Sequence, residues 1–399
     1  MKVMHINAVY GQGSTGIIVK DLHNISLNSD ISSYVSYSIS NMNENDIVNG
    51  YKVGSNFGKK THAILCRIGG KQAYFSRCAT HKLIKHLKSV KPDIVHLHNL
   101  HSNYIHLNML LDYLGENNIK TIITLHDCWF YTGGCFHYTI DNCFKWLENC
   151  GNCPKRTQDT PAIFKDNSAI ILSDRKKRFN NIKDLIVVGV SQWILNEAQR
   201  TFLNGREGHV IYNGVDTDYF VHTPSDFRKK YGIEDKFVIL AVANKWLKPV
   251  NKKTFEYVTA NLTEDTVMVM VGCTASQKQA LPDNVIAIDY IISRDELRKV
   301  YSACDVFANC TREESMSLIN VETQSCGTPI VTYRNTGAQE TVDNKCSFSV
   351  ANGNEKEFLD AILKVKKIGK KNLSEECRKW VKENFDRDKN YEKYISLYK

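Results

Sequence analysis

Glu314 and Glu322 stand with seven residues between them in the stretch TREESMSLINVETQSCGTPIV, residues 311–331. The pattern predicts a helix from near Ser315, followed by Cys-Gly-Thr-Pro and an apolar strand. A helix start carries amide N–H groups with no partner inside the helix, and it attracts an anion. Carboxylates on either side of such an anion make sense if they accept hydrogen bonds from neutral hydroxyl groups. A diphosphate against Ser315, Met316, Ser317 and Leu318, ribose hydroxyls at Glu322 and a sugar hydroxyl at Glu314 would use all of these groups. That is a nucleotide-sugar site. The plainer reading, a surface helix with two solvated carboxylates, is what an isolated pair would mean.

A site of this kind needs strands that end beside helix starts, and the sequence supplies them twice. KVMHINAV, SYVSYSI, DIVHLHNL, TIITLH, LIVVGVS and HVIYNG are short apolar runs separated by helical or loop segments. The polar stretch 215–236 interrupts, and the alternation restarts with FVILAVAN, VMVMVG, VIAIDYI, VFANC and PIVTY. The pattern predicts an α/β fold of two doubly wound, Rossmann-like domains facing a central cleft. The expected boundaries are 1–214, carrying a Cys-rich loop at 128–153, then 215–380, with a C-terminal helix over 381–399 returning to the first domain. Ser293 and Glu296 have the spacing of a capping box for the helix carrying Leu297, Val300 and Tyr301.

Gly11, Gly13 and Gly16 in GQGSTG follow the first strand and open a helix, so the loop around Gly13 offers backbone amides to an anion or a closely approaching ligand. The same spacing occurs in dinucleotide-binding folds. Those also need an acid at the end of the next strand, and here SSYVSYSI runs into Ser40-Asn41-Met42-Asn43. NAD is therefore not expected. Asp216 and Asp218 have the spacing of a metal-binding pair, but they follow Asn213-Gly214 and read as a linker turn.

Hydrophobic content of 42% and charged content of 24% over 399 residues suit a water-soluble globular chain with two cores. No apolar run approaches the ~20 residues of a membrane span. The start MKVMHINAVYG reads as a strand rather than a secretory signal, so the expected location is the cytoplasm, with the 13 cysteines reduced unless a metal holds some. The net charge of +9 is uneven: between Ile47 and Pro92 there are ten Lys or Arg and no Asp or Glu. Lys82, Lys85 and Lys88 fall at helical spacing, with Leu83, Ile84 and Leu87 able to share the other side. Such a stretch is either a solvated face or a contact for phosphates of a lipid leaflet or a nucleic acid.

Glu314, seven residues, Glu322 and CGTPIV together resemble the signature of the family 4 retaining glycosyltransferases of the GT-B fold. PDIVHLHNLH (92–101), TLHDCW (124–129), VVGVSQWI (187–194) and VIYNGVDTDYF (210–220) extend the resemblance over nearly the whole chain. HDCWFYTGGC, CFKW and CGNCP are similar to a bacterial subgroup that builds exopolysaccharide, colanic-acid-like or O-antigen chains. The resemblance implies an acceptor-side first domain and a second domain that takes a UDP- or GDP-linked sugar, with no cofactor for catalysis. It also implies that His126 lies near the donor sugar, that Glu314 contacts its hydroxyls and that Glu322 holds the ribose. The acceptor it implies is a lipid-linked oligosaccharide at the inner face of the cell membrane, the 47–92 stretch meeting the anionic surface, with no nucleic acid as partner. The chain departs from the family in VANKWLKPVNKK. Asn244 stands about where an Arg is expected, and Val250-Asn251 about where Lys-Gly is expected; Lys245, Lys248 or Lys252 would then supply the charge. NTGAQET also lacks the usual Pro before Glu340. A nucleotide-sugar epimerase of the same fold and a non-catalytic glycan-binding relative stay open as alternatives.

Cys128, Cys135, Cys143, Cys150 and Cys153 crowd into 26 residues. Cys135, Cys143, Cys150 and Cys153 could form a tetrahedral thiolate site for a structural zinc, although their spacing is wider than in paired knuckles. Buried free thiols and redox pairing are the other readings.

Overall fold

The computed structural model describes residues 1–159 and 161–399. They divide into two compact units, Met1–Ile211 with Tyr391–Lys399, and Tyr212–Asn390. The first contains β1 (Lys2–Ile6), β2 (Val9–Tyr10), β3 (Ser32–Tyr37), β4 (Ile39–Ser40), β5 (Gly50–Lys52), β6 (Ile94–Leu97), β7 (Lys120–Leu125), β8 (Leu185–Gly189) and β9 (Glu207–Val210). Seven of these form a parallel sheet in the order β5-β3-β1-β6-β7-β8-β9, while β2 and β4 pair separately. Helix α1 (Gly13–Leu27) links β2 to β3, and α2 (Asn56–Gly69) and α3 (Arg77–Val90) fill the crossover from β5 to β6.

The second unit contains β10 (Phe237–Val242), β11 (Thr266–Val271), β12 (Val285–Ile288), β13 (Val306–Asn309), β14 (Ile330–Arg334) and β15 (Phe348–Ala351). They form a parallel sheet in the order β12-β11-β10-β13-β14-β15. Strands such as TVMVMV of β11 are buried along their whole length, as a sheet covered on both faces requires. The core beneath them joins Ile239, Met268, Met270, Val306, Val331 and Phe358.

In each sheet the winding reverses once, between β1 and β6 in the first and between β10 and β13 in the second. The carboxyl ends of the strands at such a reversal open a crevice that the connecting loops line. The loops after β10 and β13 carry Lys245 and Glu314, so topology alone brings these two segments together.

Residues 381–390 belong to the second unit and only 391–399 to the first, so the C-terminal segment expected as one element is divided. Its last helix, Arg387–Tyr398, starts in one and ends in the other. Ser293 caps the helix Arg294–Ala303 by accepting from the Glu296 amide, but the Glu296 carboxylate pairs with Lys299 at 2.7 Å, so half of the expected capping box forms. Asp216 accepts from the amides of Asp218 and Tyr219 and meets Arg387 at 3.1 Å, the geometry of a turn rather than a metal ligand pair.

Candidate active site

Lys245 sits on a single helical turn, Ala243–Trp246, at the end of β10. Fully buried Trp246 donates its indole N–H to the Ala308 carbonyl of β13 at 2.8 Å, and the Asn251 amide donates to the Lys245 carbonyl at 2.8 Å. The turn is thus tied to the neighbouring strand, and Lys245 Nζ lies 3.2 Å from Glu314 Oε1.

Glu314 is held in a loop shaped by a buried polar network. Asn309, the last residue of β13, accepts from the Thr311 amide and hydroxyl and donates to Ser317 Oγ at 3.2 Å and Asn320 Oδ1 at 2.9 Å. Asn320 donates onward to Thr341 Oγ1 at 2.9 Å. Thr336 Oγ1 accepts from the Glu314 amide at 2.7 Å. The helix that follows runs Leu318–Ser325 and starts three residues later than the sequence pattern suggests, because Ser317 takes the cap by accepting from the Asn320 amide. The amides of Leu318 and Ile319 remain without intrahelical acceptors. Met316 is buried, its sulfur accepting from the Asn213 amide at 3.1 Å. Ser315 Oγ and Glu314 Oε2 are buried with no hydrogen-bond partner among the described residues.

Glu322 lies four residues after Leu318, so the two share a helix face about 6 Å apart along the axis. Its Oε2 accepts from the Tyr301 hydroxyl at 3.1 Å. Burial pushes the Glu322 carboxyl up to about 7, against the pull of the Arg294 guanidinium and the Tyr301 hydrogen bond. Arg294 in turn lies over the rings of Tyr219 and Phe220.

In the first unit, Gly13 opens α1 with φ of +63°, a conformation that favours glycine. A Cβ there would meet nothing within 4 Å, so the loop faces open space at that point. His126 follows β7. Its Nε2 lies 3.2 Å from His98 Nδ1, and His98 Nε2 lies 3.4 Å from His5 Nδ1. Burial pushes the His126 ring down to about 4, so it is a neutral imidazole near pH 7. Asp127 meets His101 at 3.0 Å and accepts from the Trp129 amide; burial raises its carboxyl, but His101 and that amide outweigh burial and hold it low.

Two family models match complementary parts of the chain: the one described as Glycosyltransferase Family 4 over residues 60–219, and the one described as Glycosyl transferases group 1 over residues 240–367. The chain belongs to the family 4 glycosyltransferases. WcaC of Escherichia coli (strain K12), a glycosyl transferase named for colanic acid biosynthesis, is 20% identical over 91% of this chain and 89% of its own. A D-inositol 3-phosphate glycosyltransferase of Mycobacterium sp. (strain KMS) is 29% identical over 31% of this chain, and the match spans 30% of that relative's length. HepE of Anabaena, solved in complex with UDP and glucose, has the same fold with a TM-score of 0.67 and 15% identity, covering 100% of this chain and 99% of its own.

Against the family pattern, the loop after β10 replaces the usual cations in an uneven way. Asn244 is exposed, and Lys252 points along its own helix toward Glu256 at 3.7 Å. Lys248 is exposed beside the turn Pro249–Asn251. Lys245 alone of the three lysines meets Glu314.

The expected zinc site is not supported by the geometry. Cys135, Cys143, Cys150 and Cys153 are free thiols whose sulfurs do not converge on one point. Cys150 packs its sulfur against Gly133, and burial pushes its thiol up to about 11 and that of Cys135 to about 12. The loop is stapled instead by buried Arg175, whose guanidinium stacks 3.9 Å from the Trp129 ring centre and donates to the Trp129 and Thr132 carbonyls. Tyr131, Tyr138 and Trp146 pack around it. Among the described residues the only cluster with ligand atoms within 4.8 Å of one another is His5, His96 and His98. Both nitrogens of His96 are engaged, with Tyr398 and Thr124 at 2.7 Å each.

Sequence reasoning passed over Asn309, Asn320, Thr336 and Arg175. The two asparagines were visible as polar residues inside apolar runs, VFANC and SLINV, where a buried amide needs a network. Nothing local marks Thr336 or Arg175, whose partners lie 22 and more than 40 residues away.

Proposed function

We propose that the chain is a retaining glycosyltransferase that moves a sugar from a nucleotide-sugar donor to a lipid-linked oligosaccharide in bacterial surface polysaccharide synthesis, on the cytoplasmic side of the membrane. The observation that carries this reading is the Lys245–Glu314 pair set beside the free helix start at Leu318, with Glu322 on the same helix face. The likeness to HepE, a fold solved with UDP and glucose, and to WcaC supports it.

The diphosphate rests on the amides of Leu318 and Ile319 with Ser315 Oγ in reach, Lys245 supplies the cation that the family usually draws from an Arg and a Lys, and Lys248 adds to it; the Gly13 loop offers its own amides to an anion. Glu322 accepts from the ribose hydroxyls, and Glu314 from hydroxyls of the transferred sugar. In the reaction the bond from the sugar anomeric carbon to the phosphate oxygen breaks, its electron pair leaving on that oxygen. The acceptor oxygen forms its bond to the same carbon on the same face, and its proton passes to the departing phosphate oxygen. Such a route needs neither a metal nor a protein base. Neutral His126 offers a hydrogen bond rather than an acid's proton. Charge builds on the leaving phosphate, so the fixed cation and amides give the largest gain, about 3 kcal/mol for each donor.

The test is a thermal-shift panel of UDP, GDP, ADP and NAD on the wild type and Glu322→Ala, followed by transfer from the matching sugar nucleotide. One nucleoside diphosphate should stabilise the wild type and lose most of that effect in the variant. No shift with any of them would point to the non-catalytic alternative. Conversion of the donor's sugar with no acceptor present would point to an epimerase.

A further inference from the structure

Helix α2 presents its apolar stripe to solvent. At 100° per residue Phe57, Thr61, Ile64 and Ile68 fall in one line, with Leu65 on one flank and Lys60 and Arg67 on the other. The opposite face carries buried His62, hydrogen-bonded to Ser76 Oγ at 2.6 Å, and buried Cys66. Phe57 is 80% exposed, and Ile64, Leu65 and Ile68 are exposed as well. A helix on a soluble surface ordinarily turns such a stripe inward.

The chain extends the stripe from a distant segment. The Ile163 amide donates to the Arg67 carbonyl at 2.7 Å, which seats residues 162–165 against the end of α2. Gly70 permits that approach: a Cβ there would lie 2.0 Å from the Lys165 carbonyl oxygen. The segment exposes Ile163 and, at 70%, Phe164. Two exposed phenylalanines and four exposed aliphatic side chains thus border Lys60, Arg67 and Lys165, inside or beside a stretch with no acidic residue from 47 to 92.

We propose that α2 and the 162–165 segment insert into the headgroup region of an anionic bilayer, Phe57, Ile64, Ile68 and Phe164 entering the acyl boundary while Lys60, Arg67 and Lys165 meet lipid phosphates. An amphipathic helix lying in the interface plane has this distribution, a large aromatic and aliphatic face edged by Lys and Arg. The inference deepens the lipid-linked acceptor reading above by naming the face that reaches the lipid, and its test does not depend on transfer activity.

The test is co-sedimentation with phosphatidylglycerol/phosphatidylcholine vesicles and with pure phosphatidylcholine vesicles, from 0.05 to 1 M salt. It uses the wild type, Phe57→Ser/Ile64→Ser/Phe164→Ser and Lys60→Glu/Arg67→Glu. The wild type should bind anionic vesicles and keep a measurable fraction bound at high salt. The serine variant should bind at least about tenfold more weakly, the factor expected for losing burial of even one large apolar side chain. The charge reversal should act mainly at low salt. Because the replaced side chains are exposed, all three proteins should melt alike and show the same nucleotide-dependent thermal shift. Full loss of wild-type binding at high salt with the serine variant unaffected would leave only electrostatic adsorption and overturn insertion. A wild-type dimer that the serine variant abolishes, without vesicle binding, would assign the face to a second copy and overturn it as well.

Discussion

Replacing Glu322 by Gln should make the protein more stable at pH 8 and leave it nearly unchanged at pH 4. The carboxyl is held at about 7 in the fold against an ordinary 4.5, because burial penalises the ionised form. A group whose pKa is higher in the folded state binds its proton more tightly there. Its stabilising contribution is therefore complete below pH 4.5 and is lost as pH rises through about 7. The span from 4.5 to about 7 corresponds to roughly 3 kcal/mol of stability lost between those limits. Gln keeps the shape and the Tyr301 contact and does not ionise, so it escapes that loss. For a unit of this size the difference amounts to a melting temperature higher by roughly 6–12 °C in the variant at pH 8. Circular dichroism melts of both proteins from pH 4 to 9 measure it directly. A second reading comes from ligand linkage: ribose hydroxyls donating into the carboxylate favour its ionised form, so nucleoside diphosphate binding near pH 6.5 should release a proton. Calorimetry in buffers of different ionisation enthalpy counts that proton. Melting curves that stay parallel across the pH range, with no proton released on binding, would refute the reasoning.

Lys245→Ala should lower turnover by about 10²–10³-fold, the loss seen when a group that stabilises developing charge is removed, whereas Lys252→Ala, on a lysine paired along its own helix, should change turnover less than twofold. As no three sulfurs of the 128–153 loop lie within 4.8 Å of one another among the described residues, chelator treatment should leave the melting temperature unchanged; Arg175→Ala should destabilise by roughly 3 kcal/mol, as its hydrogen bonds to two carbonyls and its stacking on Trp129 are lost. Nitrogen-15 NMR should find His126 protonated on Nδ1. The chain His5–His98–His126 can be donated in only two directions, and the one that leaves a bare acceptor at buried, unpartnered His5 Nε2 costs less than the one that strands an N–H there. His98→Phe should release that tautomer, and a His126 that stays Nδ1-protonated in this variant would disprove the relay.

The fold was readable because parallel sheets write themselves plainly. KVMHI, TIITL and TVMVMV are mostly apolar and buried almost throughout, and the helical spacers between them leave few other ways to pair. The short edge strands β5 and β15 gave no such signal, since GYK and FSVA are brief and half-exposed. The helix that follows Glu314 was legible for a related reason: a helix start after a strand is a local feature. Its exact place was not, because Ser315 and Ser317 are equally good caps by type. The choice falls to Ser317 through Asn309, whose side chain reaches it at 3.2 Å across the loop. The cysteines misled because five thiols in one loop suggest a ligand set, while the feature that fastens the loop is an arginine more than 40 residues from its carbonyl partners.

Buried polar atoms without a partner occur in both units, His5 Nε2 and Arg175 Nε among them. In the first unit His96 is engaged at both nitrogens and His98 bridges His5 and His126, while His5 Nε2 is left without a partner. At the head of the Leu318–Ser325 helix several such groups gather on one short segment. Glu314 Oε2 and Ser315 Oγ are buried and unpartnered, two helix amides lack intrahelical acceptors, and burial holds Glu322 near 7. Buried polar groups ordinarily find partners during folding, and a cluster that does not is an arrangement completed by something outside the chain. The missing groups are two or more hydroxyl donors for the carboxylates and an anion for the amides and Lys245. Under the proposed function, a sugar, a diphosphate and a ribose in sequence would supply all of them. The loss of the family's Arg and second Lys then acts on affinity rather than on this logic: with one fixed cation beside Glu314, the diphosphate should bind more weakly and with a steeper dependence on the amides of Leu318 and Ile319. Restoring the charge by Asn244→Arg should therefore tighten nucleoside diphosphate binding, by about tenfold for one charge-assisted hydrogen bond. An unchanged or weaker affinity in that variant would mean that the phosphates do not lie against this loop.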